Sequence, residues 1–240
     1  MTRLDQALAE AGLADSRTQA QTLILAGRVR VAGETVRRPD RAVRDGQPLE
    51  VLEPEPYVSR GGFKLAGALD AFGISPAGLV CADIGASTGG FTDVLLQRGA
   101  ARVYAVDVGR GLIHWRLRQD ERVVLMERVN ARRLEPFPEP VALVVIDVSF
   151  ISLEKVLPAV LDAAPAAHLV ALFKPQFEVG RAEVGKGGVV RDEAVIEAAL
   201  RRFRDWCAAA EVGIAGEAPS ALPGAEGNRE HFLWLRRNAR

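Results

Sequence analysis

The chain has 240 residues, enough for one large α/β domain with a small module beside it. Its 31 basic and 31 acidic residues cancel, so any surface for a polyanion must be local, and an apolar content of 48% excludes a disordered chain. Two distant cysteines, Cys81 and Cys207, exclude a disulfide framework and a cysteine-rich metal cluster, and no run approaches the roughly 18 apolar residues of a membrane helix. Cys81 reads as a core residue. The charged start Met1-Thr2-Arg3-Leu4-Asp5 reads as a helix and not as a signal peptide, so the expectation is a cytoplasmic protein.

Apolar residues recur at helical spacing over 3–12 (Leu4, Ala7, Leu8, Ala11) and stop at Gly12. Ser16-Arg17-Thr18-Gln19 fits a capping box that opens a second helix, with Ala20, Leu23 and Ile24 inward and Gly27 at its end. The alternation Arg28-Val29-Arg30-Val31 predicts a half-buried strand, Gly33 a turn, and Leu49–Leu52 closes the unit before a linker at Pro54 and Pro56. Between Arg17 and Arg44, seven arginines stand against Glu34 and Asp40, a local net charge of +5 that suits phosphate contacts. Candidate RNA contacts are Arg3, Arg17, Arg28, Arg30, Arg37 and Arg38, joined further along by Arg60. The order helix, helix, basic strand-turn resembles the RNA-binding domain named after a small-subunit ribosomal protein, and residues 1–56 are assigned to it.

From residue 79 strands and helices alternate: strands 79–84, 102–107, 123–126, 141–147 and 168–173, with helices near 90–98, 152–163 and 192–210. Val141–Ile146 is apolar on both faces, as in a parallel sheet covered by helices. The last segment, His231–Leu235, reads as a strand preceded by a weaker one at 212–218. The fold class is therefore α/β: a Rossmann-like, mostly parallel sheet with a C-terminal antiparallel hairpin over 79–240. Residues 57–78 serve as linker and start of that domain, behind a small α+β module.

The sharpest motif is Asp83-Ile84-Gly85-Ala86-Ser87-Thr88-Gly89-Gly90-Phe91, between the first strand and its helix. A dinucleotide site prefers glycine at the third place of such a turn, where backbone meets pyrophosphate. Ser87 stands there. A serine suits S-adenosylmethionine, which carries no phosphate, and Asp83 favours a ligand with a cationic amino-acid portion. Asp107, ending the second strand, is placed for ribose hydroxyls, and Asn130 for adenine. The cofactor-binding candidates are thus Asp83, Gly85, Ser87, Gly89, Gly90, Phe91, Asp107 and Asn130.

Only four of the basic residues are lysines (64, 155, 174 and 186), so a lysine marks a place where an amine that can lose its proton has a use. Asp147 ends a wholly apolar strand and Lys174 ends the next, kept out of a helix by Pro175. Lys64 follows Ser59-Arg60-Gly61-Gly62-Phe63, and Glu230 opens the last strand after Gly227-Asn228-Arg229. These segments, in this order, resemble the TlyA family of ribosomal RNA 2′-O-methyltransferases, historically labelled haemolysins, whose catalytic domain is similar to FtsJ. The resemblance spans essentially the whole chain. It implies a Lys-Asp-Lys-Glu tetrad at Lys64, Asp147, Lys174 and Glu230, a cytidine target, and ribosomal RNA or ribosomal subunits as partner, with neither DNA nor a membrane. Lys174 is the expected base, with burial and Lys64 favouring its neutral form, Asp147 orienting it and Glu230 balancing Lys64. The competing readings are a methyltransferase of another RNA such as tRNA, a membrane-active haemolysin, and an RNA-binding regulator on a dead enzyme fold.

The glycine-rich stretch Gly180–Gly188 reads as a mobile loop over the site. Phe150 and Phe177 are expected to pack in the core, though both are able to stack on a base, and Trp115, Trp206, Trp234, His114, His168 and His231 read as structural. No residue pattern points to a metal.

Overall fold

The computed structural model describes residues 1–53 and 55–238, so the linker proline Pro54 lies outside the described residues. The chain divides into two compact units, Met1–Pro56 and Tyr57–Arg240.

The first unit runs β1 (Thr2–Arg3), α1 (Leu4–Glu10), α2 (Arg17–Leu25), β2 (Val29–Val31), β3 (Glu34–Val36), β4 (Ala42–Val43) and β5 (Leu49–Val51). β2 lies between β3 and β5 in an antiparallel sheet, while β1 pairs with β4. Val29 and Val31 point inward and Arg30 outward, and they close a small core with Leu4, Leu8, Ala20 and Ile24, all fully buried. Ser16 caps α2 by accepting from the Gln19 amide at 3.2 Å. The Gln19 side chain bonds the Asp15 amide instead of that of Ser16, so the predicted box closes one residue early.

The second unit opens with α3 (Gly61–Phe72) and continues β6 (Val80–Ile84), α4 (Gly90–Gln97), β7 (Arg102–Asp107), α5 (Trp115–Arg118), β8 (Val123–Glu127), β9 (Leu143–Ile146), α6 (Leu157–Ala163), β10 (His168–Phe173), α7 (Pro175–Glu178), α8 (Glu193–Ala209), β11 (Val212–Pro219) and β12 (His231–Arg237). The sheet order is β11-β12-β10-β9-β6-β7-β8. β10, β9, β6, β7 and β8 are parallel, and β12 is antiparallel to both its neighbours. Every residue of β9 is buried, which is why that strand reads as an unbroken apolar run. Ala82, Ile84, Val144, Ile146 and Phe173 face α6 and α8, while Cys81, Val103, Val145 and Leu172 face α3 and α4.

The chain steps outward from β6 to β7 and β8 on one side, then returns to β9 and β10 on the other. At that reversal the loops leaving β6 and β9 part, which opens a crevice at the carboxyl edge of the sheet.

Candidate active site

The β6–α4 turn is built from backbone packed too closely to admit side chains. Gly85 has φ +87°, and a Cβ there would lie 2.3 Å from the Asp147 carbonyl oxygen. At Gly90 a Cβ would lie 2.2 Å from Ser59 Oγ, and at Gly89, with φ +94°, it would strike Leu117. Ser87 itself takes a left-handed conformation, φ 49°. Asp107 fixes this turn: one carboxylate oxygen accepts from the Ser87 amide at 2.8 Å, the other from the Gly109 amide at 2.7 Å. Phe91 is buried beneath the turn with its ring beside Phe232.

Asp83 is fully buried. Its Oδ2 accepts from Thr92 N at 2.8 Å and from Thr92 Oγ1 at 2.7 Å, whereas Oδ1 has no hydrogen-bond partner among the described residues. Burial pushes this carboxyl up to about 7, a shift the Thr92 bonds oppose and the Asp147 charge reinforces. Asp83 lines a cavity of about 200 Å³ with Lys64, Gly85, Ser87 and Asp147. A second, of about 570 Å³, shares Gly85, Ser87 and Asp147 and extends to Asp107, Asn130 and Phe150. A third, of about 550 Å³ beside α8, touches Glu230 but none of the turn. The Asn130 side chain accepts from the Arg132 amide at 3.0 Å, which caps a short turn on the cavity wall.

These residues fit S-adenosylmethionine. The unpartnered Oδ1 of Asp83 offers a buried acceptor for an ammonium, the glycine turn leaves room for backbone contact, and Asp107 stands where ribose hydroxyls would lie.

The four residues expected to form the tetrad come from four separate elements. Lys64, on the second turn of α3, meets Glu230 ahead of β12 with Nζ to Oε2 of 2.5 Å, and their side chains are only 11% and 2% exposed. Lys174, extended at φ −115° before Pro175, forms an ion pair with Asp147 and donates from Nζ to Ser149 Oγ at 3.1 Å. The four predicted tetrad residues therefore stand as two ion pairs, and Lys64 and Asp147 line the same cavity.

Sequence reasoning missed three supports. Ser149 is the second partner of Lys174. Glu178 accepts from the Leu153 amide at 2.9 Å, tying the segment after β10 to the loop after β9, and burial pushes its carboxyl up to about 7. Phe150 is the third. Core packing was expected for it, yet it is 91% exposed with φ 63°, its ring 5.1 Å from that of Phe177 and its side chain on the rim of the larger cavity. The left-handed backbone turns the ring out of the core, and the text Ser-Phe-Ile-Ser carries no signal of that. Trp115, read as structural, is likewise 66% exposed.

The candidate RNA contacts are distributed unevenly. Arg3 and Arg17 both bond the buried Asp5. Arg28 donates twice to the Leu52 carbonyl, at 2.9 and 2.7 Å, and so ties β2 to the end of β5. Arg30 faces Glu50 at 3.9 Å, Arg38 pairs with Asp40 at 3.1 Å, and Arg37 lies against Gly27. Arg60 belongs to the second unit, on the rim of the smaller cavity, with Nη2 3.4 Å from the Pro223 carbonyl.

A Rossmann-like sheet with an antiparallel terminal pair, a glycine turn without a phosphate cradle and an acid ending the second strand together define an S-adenosylmethionine-dependent methyltransferase. Residues 57–237 match the model of the FtsJ-like methyltransferases, and residues 2–49 match the S4 domain. The 16S/23S rRNA (cytidine-2′-O)-methyltransferase TlyA of Mycobacterium tuberculosis is 51% identical over 98% of this chain and 89% of its own. Hemolysin A of Brachyspira hyodysenteriae is 42% identical over 96% and 99%. A solved structure of a candidate hemolysin from Streptococcus thermophilus superposes with a TM-score of 0.75, at 41% identity over 99% of this chain and 88% of that one. The chain belongs to the TlyA group of the FtsJ-like methyltransferases. Among the described residues no helix is long and apolar enough to cross a membrane, and no group of three or more His, Cys, Asp or Glu side chains is placed to hold a metal ion.

Proposed function

We propose that the protein transfers a methyl group to a ribose 2′-hydroxyl of a cytidine in ribosomal RNA, in the cytoplasm, with residues 1–56 as the RNA-binding domain and 57–240 as the catalytic one. The observation that carries this reading is the pair of ion pairs, Lys64–Glu230 and Lys174–Asp147, of which Lys64 and Asp147 both line the cavity beside Asp83. S-adenosylmethionine, when bound, supplies a methyl group already activated as a sulfonium. What remains for the protein is to align a hydroxyl and remove its proton. Lys174 accepts that proton at Nζ, with Asp147 and Ser149 fixing the direction of the amine. Glu230 compensates the buried Lys64 and keeps it in place. Phe150 stacks on the acceptor base or its neighbour, which suits an exposed ring on the rim of the cavity.

The identity to relatives named as rRNA cytidine methyltransferases favours ribosomal RNA over tRNA. The hemolysin names of other relatives stay with those proteins, and leakage of vesicles exposed to the purified chain is what would bring a membrane-active reading here. The deciding experiment incubates the protein with labelled cofactor and purified small and large ribosomal subunits, then maps the product by mass spectrometry. A 2′-O-methylcytidine is expected. Label confined to a base, or to tRNA in a parallel reaction, overturns the reading.

A further inference from the structure

Asp5 is the least expected charge in the N-terminal unit. It is fully buried in a module whose surface is otherwise arginine-rich, and a carboxylate there weakens attraction for a polyanion. Its oxygens collect five donors: Arg3 Nε at 3.1 Å, Arg3 Nη2 at 3.0 Å, Arg17 Nε at 3.0 Å, Gln21 Nε2 at 2.7 Å and the Gln6 amide at 3.0 Å. The neighbouring guanidinium groups, Arg3 first, hold its carboxyl well below the usual range. Both arginines remain half-exposed, 46% and 54%. Arg3 Nη1 and both terminal nitrogens of Arg17 make no hydrogen bond among the described residues, so Arg3 is anchored along its Nε–Nη2 edge and Arg17 through Nε, while the remaining N–H groups are free.

We infer that Asp5 is a positioning residue that holds Arg3 and Arg17 as a two-pronged clamp for RNA phosphates. The inference rests on the ribosomal RNA reading above and names part of its binding surface. An arginine side chain free in solution loses rotamer entropy when it grips a phosphate, and anchoring Nε in advance removes much of that cost. The fork geometry makes this possible, since a guanidinium can present one pair of N–H groups to a carboxylate and another to a phosphate. Asp5 therefore does more for RNA affinity by orienting two cations than it costs as one anion.

The test turns on a sign. Asp5→Asn keeps the shape but removes a negative charge, so bulk electrostatics predicts tighter binding and the clamp predicts weaker. Binding of the full chain to purified ribosomal subunits is measured across a salt series. For Asp5→Asn the expected loss is on the order of tenfold, one charged hydrogen bond's worth, with the salt slope flattened by about 1. In an Arg3→Ala, Arg17→Ala background the same change should have no further effect on binding, because there is nothing left to orient. A purely structural Asp5 would lower the thermal midpoint equally in both backgrounds and leave the slope unchanged, which overturns the inference. If Asp5→Asn fails to fold, Arg17→Lys decides: lysine keeps the charge but lacks the planar fork whose Nε is anchored while its terminal nitrogens point elsewhere, so wild-type affinity overturns the clamp and tenfold loss supports it. A wild-type chain that binds neither subunit overturns the underlying rRNA reading itself.

Discussion

The two sides of the catalytic crevice are made of different material. The cofactor side is centred on backbone, the continuous turn from Asp83 to Phe91, packed so that side chains at Gly85 and Gly90 would collide with neighbours, with the carboxylates of Asp83 and Asp107 beside it. The side proposed for the acceptor is nearly all side chain, drawn from α3, the loops after β9 and β10, and the approach to β12, with Lys64 and Glu230 lying 166 positions apart. The first fails when atoms are added, the second when atoms are taken away. Loss of a side chain from the second should therefore leave the first in working order.

The largest effect is expected on the cofactor side. Gly85→Ala places a methyl group 2.3 Å from the Asp147 carbonyl oxygen in a left-handed backbone, and the positive φ alone costs about 1–2 kcal/mol. Calorimetric titration should find cofactor binding abolished. Since Asp147 is the residue struck, normal binding would show that the turn is not the cradle. Lys174→Met should come next, lowering single-turnover methyl transfer by roughly 10²–10⁴-fold while cofactor affinity stays within twofold of wild type. Equal losses in binding and turnover would erase the distinction between the two sides.

Lys64→Met leaves Glu230 buried without its partner and should destabilise the fold by about 3–5 kcal/mol, read by denaturant unfolding. Adding Glu230→Gln should recover much of that stability but none of the activity. A recovered activity would make the pair structural only.

A gentler effect belongs to Asp83. Its carboxyl, raised to about 7, stays protonated in the free protein through the acidic range, so the folded state binds an extra proton between the ordinary carboxylate value and 7. Stability from this group is therefore present at low pH and lost as pH rises to 7. An ammonium ligand needs the ionised form, so cofactor affinity should fall about tenfold per pH unit below 7, with a proton released on binding. Calorimetry in buffers of different ionisation enthalpy reads that proton, and Asp83→Asn should remove the dependence. The smallest change is expected from Phe150→Ala, a rise in KM for RNA of roughly tenfold from one lost stacking contact, with kcat held.

The same contrast explains what could be read from the chain alone. The glycine turn, the buried strand β9 and the helix α8 are local patterns, and the sequence displays them openly. The residues of the two ion pairs were singled out only because several spaced segments resemble a known family in order; no spacing rule brings residue 64 to residue 230. α3 went unmarked because Gly61, Gly62 and Gly67 interrupt its pattern, although Leu65 and Leu69 are fully buried. The strands β1, β3 and β4 hold two or three residues each, too few to show a period. Phe150 was misread because its left-handed backbone turns the ring outward, and the neighbouring residues do not announce that turn. Asp5 shows the converse, a charge whose burial is decided by Arg3, Arg17 and Gln21 converging on it.

In the proposed function the two ion pairs serve one oxygen atom, the ribose 2′-hydroxyl. That claim is tested most directly by placing 2′-deoxycytidine at the mapped position of an otherwise unchanged ribosomal RNA acceptor. The account predicts that the deoxy acceptor still binds but receives no methyl group from the wild-type protein. Transfer to that acceptor at the ordinary rate would put the methyl on the base and contradict it.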